Sequence, residues 1–559
     1  MDVQNERIPL QLPLQSLNSL SFSQTDVHAV HQWLSKLSKT NSPLSFKLMR
    51  QALDELARLK VPPSMHWSLV EQFRPVVHYL IHQSQSQILN NLVTFNNSQL
   101  EEYTACLELL LKLLTVYKTI VGISLNQRDT SSPVVAAALH RALAESASIL
   151  LFTCEYYRPA PDRFWLEMHT LYSIARTQHL DTFSLEDSIT TKARKLSLSD
   201  IYKRVLLLSR SRSNQLRPQE TRQIFKALCL WAPHSKLEAV ENNRSHFVVN
   251  LDSDEGLLYS SLQDGEKNDH LLALDARLLT AHLKKLSESV SEEKPGALPK
   301  RVVDHLATAW SPPGQRKHKR HNSSNTCEIC FGFSAVHYFL HDQQTFDEMV
   351  SGHTAKSQSS KSRFSSKNNS DAWSEAHDAH PDEDARTTNS PLPIHFTRSG
   401  NQGALYPVYN CSIINTCAGG YCLSTSAGLE RQLRTGELLA IRESGQKNWL
   451  LAAVRWVQVN DQEGLVLGLE LLSASTRSCA ITPLKKTMDS SHYQRAFLLP
   501  AIPPINDMPT LITPRVSFKN GLKFILIQGG RSRKGQLLEC VSSSPGYNQF
   551  KFRLLENQY

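Results

Sequence analysis

Two arginines four positions apart, Arg316 and Arg320, carry the strongest binding chemistry in the sequence. A guanidinium group is planar and permanently charged, so it binds phosphate oxygens or a guanine Hoogsteen edge with paired N–H donors and also stacks on a base. The residues between the two arginines are Lys-His-Lys, which makes the segment a basic lead-in. This spacing on a flexible segment lets both side chains wrap one anionic ligand. Taken alone, such a run is also typical of a solvated linker.

A second motif, Asn-Thr-Cys-Ala-Gly-Gly, begins at Asn415, 95 residues after Arg320. The Asn415 amide can both donate to and accept from a base edge. Gly419 and Gly420 lack a Cβ, so backbone N–H groups in this turn can approach a ligand closely. Cys417 occupies the middle of the motif. Taken alone, the motif is equally typical of a hairpin turn that binds no ligand.

Cysteine spacing raises the alternative of a metal site, because Cys327 and Cys330 form a Cys-x-x-Cys pair. Two cysteines at this spacing can supply half of a zinc site. The remaining ligands would come from Cys411, Cys417, Cys422 or His321. There is no second Cys-x-x-Cys in the sequence, and in an extended strand the two side chains would face opposite sides. We therefore expect no metal site.

The sequence gives little support for an enzyme or for a nucleic-acid-binding protein. The sequence has no Gly-x-Ser-x-Gly elbow, P-loop or His-Glu-x-x-His helix, and we expect no catalytic residues. The 61 lysines and arginines exceed the 52 acids by nine, a mild excess over 559 residues that suits an anionic ligand. The basic residues lack the interleaved aromatics of a single-strand binder, so we expect no nucleic-acid partner.

Hydropathy predicts a protein without a membrane span. No segment reaches the roughly 18–20 consecutive apolar residues of a membrane helix, and the N-terminus lacks a signal-peptide pattern. The ten scattered cysteines fit reduced thiols. We therefore expect a cytoplasmic protein, with a 40% hydrophobic composition that supports real cores.

The first half of the chain is predicted to be helical. After a flexible N-terminus (1–25), an α-helical array covers 26–235, with apolar residues at helical spacing. A connector of short strands and helices follows over 236–310, with a strand near Phe247–Leu251 and a helix over Leu271–Val290. Only four of the 21 glycines fall before residue 311, which excludes a glycine-rich phosphate loop there.

The second half is predicted to be β-rich. An antiparallel barrel covers 311–475, and a β-rich extension covers 476–559. The predicted barrel strands are Thr326–Leu340, Pro407–Ser412, Gly420–Thr425, Leu438–Arg442, Trp449–Val459 and Leu465–Leu472. An insertion over 342–400 is predicted to be disordered, because residues 351–390 contain no Leu, Ile or Val. In the extension, a basic cluster follows Gly529-Gly530 at a predicted hairpin tip.

The order of these features resembles the PilZ family of cyclic di-GMP receptors. That family has an Arg-x-x-x-Arg segment before a β-barrel and an Asp/Asn-x-Ser-x-x-Gly turn between barrel strands. The later Val-Arg-Trp and Gly-Leu-Glu strands, ending at Trp456 and Glu470, also resemble its closing strands. The resemblance covers about 312–475. This chain departs from the pattern by having Cys417 at the serine position and a long insertion between the motifs.

The resemblance implies a non-enzymatic effector that binds cyclic di-GMP and regulates pili, motility or exopolysaccharide. Arg316 and Arg320 would clamp the ligand, while Asn415, Cys417, Gly419 and Gly420 would line its guanine side. The helical domain would contact a protein partner that the sequence does not identify. The alternative is an adaptor in which the barrel is a degenerate interaction module that binds no nucleotide, which the cysteine at position 417 favours.

Overall fold

The computed structural model divides the chain into two compact units, one within residues 1–315 and one within 316–429 and 433–559. The residues that it describes are 10–37, 42–89, 97–127, 132–189, 195–240, 246–260, 270–289, 298–312, 319–354, 405–425, 433–460, 464–473, 475–484, 492–501 and 508–555.

Helices dominate the described part of the first unit, as predicted. They are α1 (Val27–Ser35), α2 (Ser42–Arg58), α3 (Pro63–Leu89), α4 (Asn97–Asn126), α5 (Pro133–Glu155), α6 (Phe164–Thr177), α7 (Leu198–Ser209), α8 (Pro218–Trp231), α9 (Arg277–Ser289) and α10 (Lys300–Ala309). Their start signals are local. Ser132 caps α5 and Pro133 is its first residue. At α8, Pro218 is again the first residue, and Glu220 accepts from the Arg217 backbone N–H at 3.0 Å.

Two small antiparallel sheets complete this unit. They comprise β1 (Ser184–Glu186), β2 (Lys195–Ser197), β3 (Lys236–Ala239), β4 (Phe247–Asn250), β5 (Leu258–Tyr259) and β6 (Leu271–Asp275). The predicted helix over Leu271–Val290 is wrong at its start. Residues 271–275 form β6, which pairs with β3 and β4 in the sheet, and Asp275 accepts from the Arg277 backbone N–H at 2.9 Å where α9 begins. One hydrophobic core runs through the unit from Leu10 to Trp310.

A buried cluster of charges crosses the helical core. Arg74 Nε donates to Glu145 at 2.6 Å, and its terminal nitrogens donate to both oxygens of Asp187 at 2.9 and 2.7 Å. The three side chains are at most 3% exposed. Burial raises the pKa of Glu145, but the charges of His78 and Arg74 outweigh it and hold that pKa below its ordinary value. Such a cluster fixes helix positions because an unpaired charge here is costly.

Helix α5 is long and apolar enough to cross a membrane by length and composition. Within the described residues, 78% of its most apolar window is buried inside the unit. Its hydrophobicity is therefore that of a core helix. It carries Arg141 and Glu145, both engaged with neighbours in the core.

The second unit begins with a closed six-stranded barrel. Its elements are β7 (His321–Asn322), β8 (Thr326–Phe331), α11 (Phe333–Leu340), α12 (Phe346–Thr354), β9 (Tyr409–Cys417), β10 (Gly420–Thr425), β11 (Leu438–Glu443), β12 (Leu450–Asn460) and β13 (Gly464–Ser473). The strand order is β10-β13-β12-β11-β8-β9, and pairing of β9 with β10 closes the ring. The short β7 adds to β9 outside the ring. The predicted antiparallel barrel is confirmed.

The structure corrects two predicted boundaries near the insertion. The predicted strand Thr326–Leu340 breaks at Gly332, whose φ of +87° suits glycine, and its second half is helix α11. The insertion predicted to be disordered over 342–400 begins with helix α12. A capping box starts this helix, because Glu348 accepts from the Thr345 N–H at 2.8 Å and Thr345 Oγ1 accepts from the Glu348 N–H at 3.3 Å. Residues 355–404 lie outside the described residues.

The predicted β extension is a second closed barrel. Its strands are β14 (Arg477–Pro483), β15 (Gln494–Leu499), β16 (Thr510–Thr513), β17 (Lys523–Gln528), β18 (Arg531–Ser543) and β19 (Asn548–Leu554), in the order β14-β15-β16-β19-β18-β17. The turn before β18 is Gly529-Gly530, with φ of +53° and +70°, so the basic cluster predicted at the hairpin tip lies within a strand.

Helix α11 joins the two barrels. Val336 and Phe339 share one core with Ala440 of the first barrel and Phe497 of the second. His337 Nε2 lies 3.1 Å from the Cys479 carbonyl oxygen, and Ser478 Oγ donates to the His337 carbonyl at 3.1 Å. Burial lowers the pKa of His337 to about 3, so this side chain is neutral and donates to Cys479.

This buried histidine predicts acid sensitivity of the barrel pair. A histidine whose pKa is lowered on folding makes stability fall as the pH drops from about 6.5 towards about 3. Between pH 7 and 5 we expect the free energy of unfolding to fall by about 2 kcal/mol from this group. The measurement is urea-dependent hydrogen exchange of β14 peptides at both pH values.

The variant His337→Gln keeps an N–H donor and does not titrate, so it is expected to flatten this pH dependence. His321→Gln, at an exposed position in β7, is the matched control and should retain the slope. An equal slope in His337→Gln and the parent protein would contradict the assignment.

Candidate functional site

The second predicted motif forms the hairpin between β9 and β10. Cys417 pairs with Gly420 across the two-residue turn Ala418-Gly419, and Thr416 pairs with Tyr421. The Leu471 N–H donates to the Gly419 carbonyl at 3.0 Å, which ties the turn to β13. Gly420 is buried, whereas Asn415, Cys417 and Gly419 are partly exposed. The turn therefore offers polar and backbone groups to solvent.

The basic lead-in runs directly beside this hairpin. His321 pairs with Thr416 and Asn322 with Asn415. The Ser323 N–H donates to the Ile414 carbonyl at 3.1 Å, which continues the contact. Extending the β7–β9 register by one residue places Arg320 opposite Cys417. The structure thus brings together two motifs that stand 95 residues apart in the sequence.

Arg320 is exposed and forms no ion pair with any residue that the structure describes. Lys319 and Arg320 are the two cations of the lead-in whose places the structure defines. Arg316 lies outside the described residues. Glu470 on β13 pairs with Gly420 in register and is held by an ion pair with Arg455. Arg320 therefore places an exposed positive charge beside the turn, without an ion-pair partner among the described residues.

A row of paired residues continues this face around the barrel. Cys422 pairs with Asn415 on β9 and with Gly468 on β13, and Gly468 pairs with Trp456 on β12. Directly paired residues project to the same face of a sheet. A Cβ at Gly468 would overlap the Trp456 indole, so the ring lies over this glycine. A partly exposed tryptophan therefore lies flat on the same face as the Asn415 amide.

Sequence reasoning did not find this tryptophan platform. Trp456 and Gly468 were predicted as parts of closing strands, without a role in the site. The available signal was the isolated glycine inside a strand pattern, which marks a close approach of another group. This signal does not say which side chain approaches the glycine. Only the register between β12 and β13 pairs Gly468 with Trp456.

Gly420 has a structural role that needs no ligand. Its φ is +154°, and a Cβ there would overlap the carbonyl oxygen of Leu469 on β13. Glycine at this position therefore lets β10 and β13 approach closely at the start of the strand pair.

The two cysteines of the alternative zinc site, Cys327 and Cys330, lie in different parts of the structure. Cys327 is in register with Cys411, whereas Cys330 packs against α11 in the core between the barrels. Burial raises the pKa of Cys327 and of Cys330 to about 12. A buried thiol with such a pKa is protonated at neutral pH. Within the described residues, no group of three or more metal-ligating side chains is found.

Three family models match consecutive parts of the chain. The model described as "Cyclic-di-GMP receptor FimW, middle PilZ domain" matches residues 246–477, which include both motifs and the whole first barrel. This match identifies residues 246–477 as a PilZ domain. The FimW N-terminal domain matches residues 28–242, and the FimW C-terminal β-barrel domain matches 479–555. All three models describe parts of the cyclic-di-GMP receptor FimW, which is not an enzyme family.

A curated relative has the same arrangement. The cyclic-di-GMP receptor FimW of Pseudomonas aeruginosa is 28% identical to this chain, over 100% of the chain and 95% of that protein. No solved structure gives a significant match. In this chain the match to the middle PilZ domain begins at 246, within the helical unit, while the division between the units falls at 315/316.

The role of Gly420 gives a prediction about the hairpin. Gly420→Ala is expected to destabilise the first barrel by about 1–3 kcal/mol, because the new Cβ meets a backbone oxygen at a strained φ. Gly445→Ala is the control, since its φ is also positive (+85°) but a Cβ there meets nothing within 4 Å. Thermal unfolding of both variants measures the difference, and equal losses would contradict the steric account.

Proposed function

We propose that this protein is a non-enzymatic receptor for cyclic di-GMP. The ligand would lie on the outer barrel face lined by β7 and the β9–β10 hairpin. The observation that carries the proposal is the pairing of β7 with β9, which sets Arg320 beside the Asn415–Gly420 turn. The match to the middle PilZ domain and the similarity to a cyclic-di-GMP receptor support the same ligand.

The face matches the chemistry of this nucleotide. Cyclic di-GMP presents two phosphates and two guanines. Arg316 and Arg320 would bind phosphate oxygens or guanine Hoogsteen edges in pairs. The Asn415 amide would contact a base edge, with Cys417, Gly419 and Gly420 along the same side. Trp456 would offer a flat apolar surface at the far end of the row.

The place of the arginines in the chain supports a regulatory output. They stand directly after the helical unit, at the start of the second unit. Ligand binding would engage the arginines of this lead-in, and a ligand shifts a conformational equilibrium only through different affinities for its two states. The helical unit would present the changed state to a protein partner in the cytoplasm, in a pathway such as pilus motility, flagellar control or exopolysaccharide production.

The second candidate function is that of an adaptor that binds no nucleotide. Cys417 favours it, because a thiol is a poorer hydrogen-bond partner than the serine hydroxyl of the family motif. The retained Arg316 and Arg320 disfavour it. Calorimetry with the nucleotide separates these two functions.

Titration calorimetry of the full chain with cyclic di-GMP tests the receptor directly. Arg320→Ala and Arg316→Ala are each expected to weaken binding at least about tenfold, because each removes charge-assisted hydrogen bonds. Arg477→Ala changes an exposed arginine of the second barrel and should bind like the parent protein. Absence of binding by the parent at high micromolar nucleotide would support the adaptor, and parent-like binding by both arginine variants would remove this site.

Cys417→Ser tests the hairpin side of the same face. Restoring the hydroxyl of the family motif is expected to tighten nucleotide binding by roughly two- to tenfold, the range of one added hydrogen bond. Cys540→Ser, at a partly exposed cysteine of the second barrel, is the control and should not change the affinity. Unchanged or weaker binding by Cys417→Ser would show that this position does not face the ligand.

A further inference from the structure

The net charge of the chain is concentrated in the second barrel. Residues 479–555 contain eleven lysines and arginines and three acids, an excess of eight positive charges. The whole chain has an excess of nine. The remaining residues are therefore close to neutral, and the nucleotide face does not account for this charge.

One outer face of this barrel displays the excess. Gln536 on β18 pairs with Lys523 on β17 and with Arg553 on β19, so the three side chains share a face. Lys534 lies two residues along β18 on that face. Lys523, Lys534 and Arg553 are exposed, and none forms an ion pair with a residue that the structure describes. We call this row, with Gln536, the basic face.

Further cations border the basic face. Arg531 and Arg533 extend from the start of β18, and Lys519 lies in the loop before β17. That loop is tied to the face, because Gln536 Nε2 donates to the Gly521 carbonyl at 3.1 Å. Glu539 lies along the same strand, and Lys551 engages it at 3.0 Å.

The apolar groups nearby distinguish among anionic partners. Phe518, Phe524, Phe550 and Phe552 are buried in the barrel core, so no described phenylalanine stacks at this surface. Val516, in the bordering loop, is 81% exposed. Bases of single-stranded nucleic acid require exposed aromatic platforms, and protein interfaces are enriched in aromatics. A lipid headgroup layer requires only cations and an accessible aliphatic group.

We propose that the basic face binds a membrane surface rich in anionic phospholipid, with the Val516 loop at the headgroup boundary. The contact is limited to the membrane surface, because the strands of the closed barrel pair with one another and only their outward side chains can reach the headgroups. It is independent of the nucleotide face, which lies on the other barrel. Charge attraction of this kind weakens with salt.

Sedimentation of the full chain with vesicles tests the proposal. Binding is expected with phosphatidylglycerol-rich vesicles, not with pure phosphatidylcholine, and is expected to weaken at high salt. The triple change Lys523→Gln, Lys534→Gln and Arg553→Gln should lower partitioning about fivefold per charge, roughly a hundredfold in all. The charge-matched control is Lys236→Gln, Lys284→Gln and Lys285→Gln, all exposed in the helical unit, and it should bind like the parent.

A second variant separates lipid from other polyanions. Val516→Ser keeps every charge and should reduce vesicle binding, with thermal unfolding verifying that each variant folds. Unchanged vesicle binding by Val516→Ser would indicate a purely electrostatic contact and overturn the placement of the Val516 loop at the headgroup boundary. Equal binding by the two triple variants would remove the basic face. Tighter binding to duplex DNA than to vesicles at equal anion concentration, lost in the basic-face triple variant, would assign the face to nucleic acid instead.

Discussion

The site depends on strand β9. One edge of this strand pairs with β7 and β8, and the other pairs with β10, so the same strand closes the barrel and joins the two motifs. The register is strict because side chains alternate between faces: a slip of one residue would turn Asn415 and Cys417 towards the barrel interior. Arg320, Asn415 and Cys417 owe their shared face to this register.

The long separation between the motifs costs the barrel little. Loop-closure entropy grows slowly with length, so an insertion between β8 and β9 is tolerated when its ends are held. Here the start of the insertion is held by helix α12, because Met349 of this helix packs against Ala480 and Ile527 of the second barrel. The strand pairing, rather than proximity in the chain, then sets Arg320 beside the turn.

Two glycines make the face possible in different ways. Gly420 allows β10 and β13 to approach at a carbonyl oxygen, and Gly468 allows the Trp456 ring to lie flat across a neighbouring strand. Both are packing requirements of the barrel. The sequence motif suggests that Gly420 is there to let a ligand approach. In the structure this glycine is required for strand packing, and the shape of the ligand face follows from that packing.

Local patterns predicted much of this architecture. The sequence by itself determined the helices of the first half, through apolar periodicity and Pro or Ser start signals, and the residue types of both motifs. It misassigned Leu271–Asp275 and Phe333–Leu340, because short apolar runs suit a strand or a helix equally and only their partners decide. The tertiary structure alone decided that residues 321–322 pair with 415–416, that Trp456 lies over Gly468, and that the last strands close into a second barrel with a basic face. These are non-local pairings, and their register is set by packing between segments far apart in the chain.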